Sequence, residues 1–450
     1  MRKTTQYLKS LDRKHVWHPF TQMKEWTSDE ILVVEEGRGA WLKDTDGKWY
    51  LDGISSLWVT VHGHRCKEID KAVKKQIGQI AHSTLLGLAN IPSILLAKRL
   101  IEISPRGLKK VFYSDAGATS VEIALKMAHQ YWHLKGENRP WFIKFSDAYH
   151  GDTIGSVSVG GIKMFHDIFS DLLFKTYRAP WPHTYWKPRN YSLNQWKNYC
   201  LTQLEELLRK KAKTIAGLIT EPLIQGASGM ATAPAGFLKG VEQLCRKYGV
   251  LLIVDEVATG FGRTGKMFAC EWEHVRPDLM CVAKGLTGGY LPLAATLATD
   301  KIFRAYLGKY SEFKTFFHGH TYTGNPLGCS AALASLNLFK KKRILEKLQK
   351  KIQTLQSALL PLKDLSHVGD IRQKGFMVGI ELVENKEKQV PFLLEEKMAI
   401  KVCRFARTQN VILRPLGNVV VLMPPLGIEK KDILYLANAV RESILKITGN

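Results

Sequence analysis

No apolar run in these 450 residues approaches the roughly 18 needed to cross a bilayer as a helix, so no membrane partner is expected. Residues 1–20 are basic and polar and lack the apolar centre of a secretory signal, so a cytoplasmic location is expected. Cysteine is sparse. Seven thiols (Cys66, Cys200, Cys245, Cys270, Cys281, Cys329 and Cys403) are scattered, odd in number and without a CxxC. That pattern fits reduced thiols and argues against a disulfide frame or a thiolate metal site. Internal repeats and low-complexity tracts are absent. Acids are scarce too: 41 Asp and Glu against 65 Lys and Arg leave a net charge of +24. Such a balance suits nucleic acid or an acidic surface as partner. The bases are spread along the chain, however. The densest runs, Arg209-Lys210-Lys211-Ala212-Lys213 and Lys340-Lys341-Lys342-Arg343, sit in polar helical stretches and read as solvated faces. Helix-turn-helix, zinc-finger and RNA-binding aromatic spacings are all missing, so small molecules are the expected partners, not nucleic acid.

What remains is an ordinary globular composition, 45% hydrophobic and 24% charged, long enough for two domains. Three zones are expected. Residues 1–60 hold two short strands about an Asp46-Gly47 turn and join the small domain. Residues 61–340 alternate helical stretches with short apolar strands, the pattern of a mostly parallel sheet covered by helices. Residues 341–450 mix amphipathic helices with strands and read as a smaller α+β domain. The fold class is α/β.

The chemistry gathers at strand ends. Val250-Leu251-Leu252-Ile253-Val254-Asp255 is an apolar run closed by a carboxylate, placed where open α/β sheets bind ligands. Ala283-Lys284-Gly285-Leu286-Thr287-Gly288-Gly289 sets an amine among small residues. Pyridoxal phosphate chemistry needs such a pair, a lysine to condense with the aldehyde and an acid to keep the ring nitrogen protonated. Ser114-Asp115-Ala116-Gly117-Ala118-Thr119 opens a helix. It serves either as a phosphate cradle of free N–H groups or as an ordinary turn capped by Thr119 and Glu122. Tyr149 follows another strand and suits stacking on a flat ring. Glu221-Pro222 and the loop Gln225-Gly226-Ala227-Ser228-Gly229 end a third, while Val257 lies just beyond Asp255. Phe261-Gly262-Arg263-Thr264-Gly265-Lys266 reads as a mobile basic loop without P-loop spacing. His318-Gly319-His320 precedes a second small-residue loop. With no third ligand in view, no metal is expected there.

These segments, at 147–153, 221–229, 254–265, 281–292 and 318–329, resemble the class III pyridoxal-phosphate aminotransferases of fold type I over nearly the whole chain. That resemblance implies a seven-stranded-type sheet and a homodimer whose active site spans the interface. It makes Lys284 the cofactor-bearing amine, Asp255 the partner of the ring nitrogen, and Tyr149 and Val257 the residues on the two ring faces. Gly117 and Ala118 would hold the phosphate, with His320 and the partner copy's Thr321 adding to the cofactor site. Trp17-His18-Pro19-Phe20-Thr21, Ser55-Ser56-Leu57-Trp58 and Leu413-Arg414-Pro415-Leu416-Gly417-Asn418 resemble the branch that aminates 8-amino-7-oxononanoate in biotin synthesis. There Phe20, Trp58, Tyr149, Lys284 and Gly319 would contact substrate, Arg414 would pair with its carboxylate, and Asp152 and Arg263 would stand behind them. Many members have Tyr at Phe20, an aromatic at Val421 and Pro at His320. The first two changes alter the donor side, so S-adenosylmethionine and lysine both stand as donors. The alternatives are another class III ω-aminotransferase or, more remotely, an inactive fold that binds nucleic acid.

Overall fold

The computed structural model describes residues 4–449; the first three residues of the N-terminal stretch read above for a signal lie outside them. Seven strands form the large sheet: β1 (Leu108–Ser114), β2 (Trp141–Phe145), β3 (Tyr177–Ala179), β4 (Ile215–Thr220), β5 (Leu251–Asp255), β6 (Leu279–Val282) and β7 (Ala294–Thr299). Their spatial order is β1-β7-β6-β5-β4-β2-β3. Only β7 runs antiparallel to its neighbours. The central strands are buried on both faces, which is why they read as unbroken apolar runs. In β5, Leu251 and Ile253 pack with Val121 and Ala124 of helix α1 (Gly117–Leu134). Leu252 and Val254 face the opposite layer, with Phe237 and Val241 of α2 (Phe237–Tyr248). The sheet is therefore sandwiched by helices. The C-terminal ends of β1, β2, β4, β5 and β6 lead into the segments that carry the candidate residues.

Residues near the two ends of the chain come together in a second sheet. Strands Val34–Arg38, Trp41–Asp44 and Trp49–Asp52 run antiparallel, and the last pairs in parallel with Val411–Ile412. A further antiparallel sheet joins Val368–Lys374, Met377–Asn385, Val419–Leu422 and Arg414–Leu416. A buried ion pair, Arg372 to Glu381 at 2.6 Å, also donates to the Gly229 carbonyl and so fastens this sheet to the loop beyond β4. Among the described residues, all seven cysteines are free and no helix is long and apolar enough to cross a membrane.

Candidate active site

A cavity of about 660 Å³ opens where these strand ends meet. Asp255, last residue of β5, is almost fully buried there. One carboxylate oxygen accepts the Val257 N–H at 2.9 Å, and the other lies 2.7 Å from Nδ1 of His150. A carboxylate only accepts, so that ring nitrogen carries the proton. This bond fixes the acid's orientation, while Nε2 of the same buried ring has no partner among the described residues.

Lys284 begins a short turn (Lys284–Thr287) after β6 with φ of +36°, a left-handed value that is costly for a residue bearing a Cβ. Its Nζ lies 5.4 Å from the centre of the Trp58 ring. Burial pushes the amine below the ordinary lysine range against the opposing pull of Asp255 and Glu221, which shifts its balance toward the neutral form. Across the cavity α1 presents its N-terminus. Thr119 turns its hydroxyl back onto the Ala116 N–H, leaving the next amides, Gly117 and Ala118, at the cavity wall. Glu122 does not complete the expected cap. It reaches the N–H groups of Gly155 and Ser156, at 2.7 and 3.2 Å. A Cβ on Gly117 would stand 2.6 Å from Val257 Cγ1, so only glycine lets the helix start approach that side chain. Tyr149 lines the same space. Its hydroxyl donates to Asp152 at 2.7 Å, and burial raises its phenol well above the usual range.

The amine, the oriented carboxylate and the open helix start therefore share one cavity, and that donor set fits pyridoxal phosphate. Of the sequence-predicted residues, Trp58, Gly117, Ala118, Tyr149, Asp152, Asp255, Val257 and Lys284 line it. Phe20, Gly319, His320, Thr321 and Arg414 do not. Phe20 is 58% exposed, with its ring edge-on to Phe165. Gly319 and Thr321 are exposed, and His320 sits 3.3 Å from Asp115 on the cavity rim. His318 is occupied separately by Lys126, at 3.0 Å. Arg414 is half-buried near Tyr149, and its guanidinium makes no hydrogen bond or ion pair among the described residues.

Two expectations need correction. Arg263 is not on a mobile basic loop. It is 1% exposed and donates to the carbonyls of Pro424, Trp58 and Thr60, because backbone acceptors have replaced water around it. Val421 does not face the cavity either; it packs in a buried apolar cluster with Trp58, Met377 and Met423. Two residues were missed as site members. His150 stands beside Tyr149 in sequence, but its bond to Asp255 spans 105 positions and leaves no local signal. Glu221 was visible only as a strand-end acid. It is buried and accepts the N–H groups of Tyr149 and Gly226.

Burial, reinforced by Asp255 and opposed by His150, raises the Glu221 carboxyl from 4.5 to about 7. Between those values the folded apoprotein holds a proton that the unfolded chain has lost. Stability therefore falls as pH rises through the window, by at most about 3 kcal/mol. In Glu221→Gln the amide oxygen serves two N–H donors less well, so overall stability is expected to drop while the decline from pH 5 to pH 8 becomes shallower. Denaturant titrations at the two pH values check this; a decline as steep as the parent's would assign the titration to another group.

Comparison with known proteins agrees with this geometry. A family model described as aminotransferase class-III matches residues 23–444. The adenosylmethionine-8-amino-7-oxononanoate aminotransferase of Geobacter sulfurreducens is 53% identical, over 99% of both chains. The crystal structure of the enzyme of that name from Methanocaldococcus jannaschii superposes with a TM-score of 0.94 at 47% identity, covering 98% of this chain and 99% of the other. An (S)-enantioselective omega-transaminase from Thermomicrobium roseum reaches 0.95 at 33% identity, over 99% of each. With sheet, cavity and near-complete alignment in agreement, the chain belongs to the class-III aminotransferases, fold type I enzymes that work with pyridoxal 5'-phosphate.

Proposed function

We propose that this protein aminates 8-amino-7-oxononanoate to 7,8-diaminononanoate in biotin synthesis, with S-adenosylmethionine or lysine as donor. The observation that carries the reading is the shared cavity of Lys284 and Asp255 in a chain about half identical to enzymes of that name. Bound pyridoxal phosphate supplies an electron sink at the carbon that loses its proton. Lys284 is the tether and, once released, the base: with burial shifting its amine toward the neutral form, it takes a proton from the donor carbon and returns it. Asp255, oriented by His150, would keep the ring nitrogen protonated. Val257 and Tyr149 would hold the ring between them, and the Gly117 and Ala118 amides would hold the phosphate. Trp58 walls the substrate space. Arg414, outside the lining but near Tyr149 and with its guanidinium unpaired among the described residues, would supply a fork for the acceptor's carboxylate. Its removal should raise KM for the oxo-acid far more than it lowers kcat.

We also propose a cytoplasmic homodimer. Leu86, Leu88, Ile91, Ile94 and Leu95 are all exposed. They neighbour the loop of Phe317 and Tyr322, likewise exposed: the Tyr322 ring packs against His82, and a Cβ on Gly319 would stand 3.8 Å from Leu86. An apolar patch of this kind beside the cavity rim suits an isologous interface that would carry Thr321 to the partner's site.

A second reading, an ω-transaminase acting on a 2-oxo acid, is favoured by the Thermomicrobium roseum likeness. Purified protein is expected to bleach its cofactor band with S-adenosylmethionine or lysine and to recover it with 8-amino-7-oxononanoate; recovery with pyruvate alone would favour the ω-transaminase. Lys284→Ala is expected to abolish turnover, and full activity with an unchanged cofactor band would overturn the scheme. Gly117→Ala crowds Val257 and is expected to weaken cofactor binding about tenfold, since overpacking costs about 1–3 kcal/mol. Adding Val257→Ala should restore much of the loss, read by absorbance titration of the apoprotein. Sedimentation should show a dimer, and Leu88→Asp with Ile91→Asp a monomer; a monomeric parent would remove the interface from the proposal.

A further inference from the structure

Trp58 reaches the cavity from an unusual stretch of backbone. Ser55, Ser56 and Trp58 have φ of +53°, +61° and +67°, left-handed values at three non-glycine residues within four positions. Such a stretch unwinds unless its surroundings over-determine it. The indole N–H of Trp58 is buried and has no acceptor among the described residues. The direction of this ring therefore decides which donor the wall offers a bound molecule.

The holding group is a carboxylate that the mechanism leaves unused. Asp52 ends the strand Trp49–Asp52 and is fully buried. Its Oδ1 accepts the N–H groups of Ile54, at 3.3 Å, and Ser56, at 3.0 Å. Its Oδ2 accepts the Ser56 hydroxyl at 3.2 Å and faces Nε2 of His64 at 2.9 Å. His64 is itself anchored, exchanging both backbone hydrogen bonds with Gly39. Two further contacts complete the clamp. Ser55 donates its hydroxyl to the Met423 carbonyl at 2.7 Å, and Arg263 donates to the carbonyls of Trp58 and Thr60. Asp52 also offsets the buried charge of Arg263. Both ends of the strained segment thus depend on this acid, one through hydrogen bonds and the other through charge.

We infer that Asp52, braced by His64, is the positioning residue that sets Trp58 against Lys284 and so tunes recognition of the long-chain amino acceptor. The recognition half of this statement rests on the function proposed above; the positioning half does not. An acid that only caps its loop would lower stability and scale all kinetic constants together. One that acts through Trp58 has a different signature. Asp52→Ala is expected to raise KM for 8-amino-7-oxononanoate about tenfold while the donor half-reaction changes less than about twofold. In a Trp58→Phe background the same change should add less than about twofold, because the two residues act as one unit. Asp52→Asn keeps an acceptor for the Ile54 and Ser56 N–H groups and should restore most of the loss.

A second readout needs no turnover. In protein labelled with 5-fluorotryptophan, the Trp58 fluorine resonance, assigned by its absence in Trp58→Phe, should move or broaden in Asp52→Ala and return in Asp52→Asn. An unmoved resonance, or equal losses in both backgrounds, overturns the inference. If Asp52→Ala fails to fold, Ser56→Ala removes one bond to the same carboxylate and should shift the resonance in the same sense. If the parent ignores 8-amino-7-oxononanoate, the proposed function fails and the fluorine measurement still decides the positioning role.

Discussion

A carboxylate buried at the end of a central strand is stable only when its lone pairs are satisfied, and Asp255 is satisfied by His150 and by the Val257 amide. That arrangement orients the acid at the floor of a cavity whose lining also carries Asp152 and Glu221. Burial draws the neighbouring amine of Lys284 toward its neutral form, against the pull of Asp255 and Glu221. The approach of α1 then follows. Glycine at 117 lets the helix start come against Val257 and presents its positive end to the same space. Strand end, helix start and lysine turn meet around that one buried acid.

Much of this was legible from the chain alone. Buried strands announce themselves as apolar runs, and a polar residue closing such a run stands out. Asp255, Glu221 and Tyr149 were visible for that reason. Lys284 was visible because small residues and paired glycines surround it. The resemblance to class III aminotransferases then ordered these residues into a site.

The hidden parts are those whose partners carry no side-chain signature. Arg263 looked solvated because its acceptors are backbone carbonyls, which any sequence supplies. Glu122 fitted a local cap, but a neighbouring helix start offered two amides and won. His150 needed a partner 105 residues away. Val421 sits where strand alternation turns it toward the Trp58 cluster instead of the cavity. Phe20, Gly319, His320, Thr321 and Arg414 lie outside the cavity lining, and nothing in the local sequence around them separates a lining residue from a neighbouring one.

The pairing of Leu51 with Val411 ties the segment before Trp58 to a strand far along the chain. Gly53 hydrogen-bonds to the Ile412 carbonyl and receives the Met423 N–H, so the approach to Trp58 leans on residues that the large sheet does not use. That sheet is built from strands between Leu108 and Thr299, whereas the tryptophan wall hangs from the sheet that Leu51 and Val411 share. The floor of the chamber and its wall thus rest on different foundations.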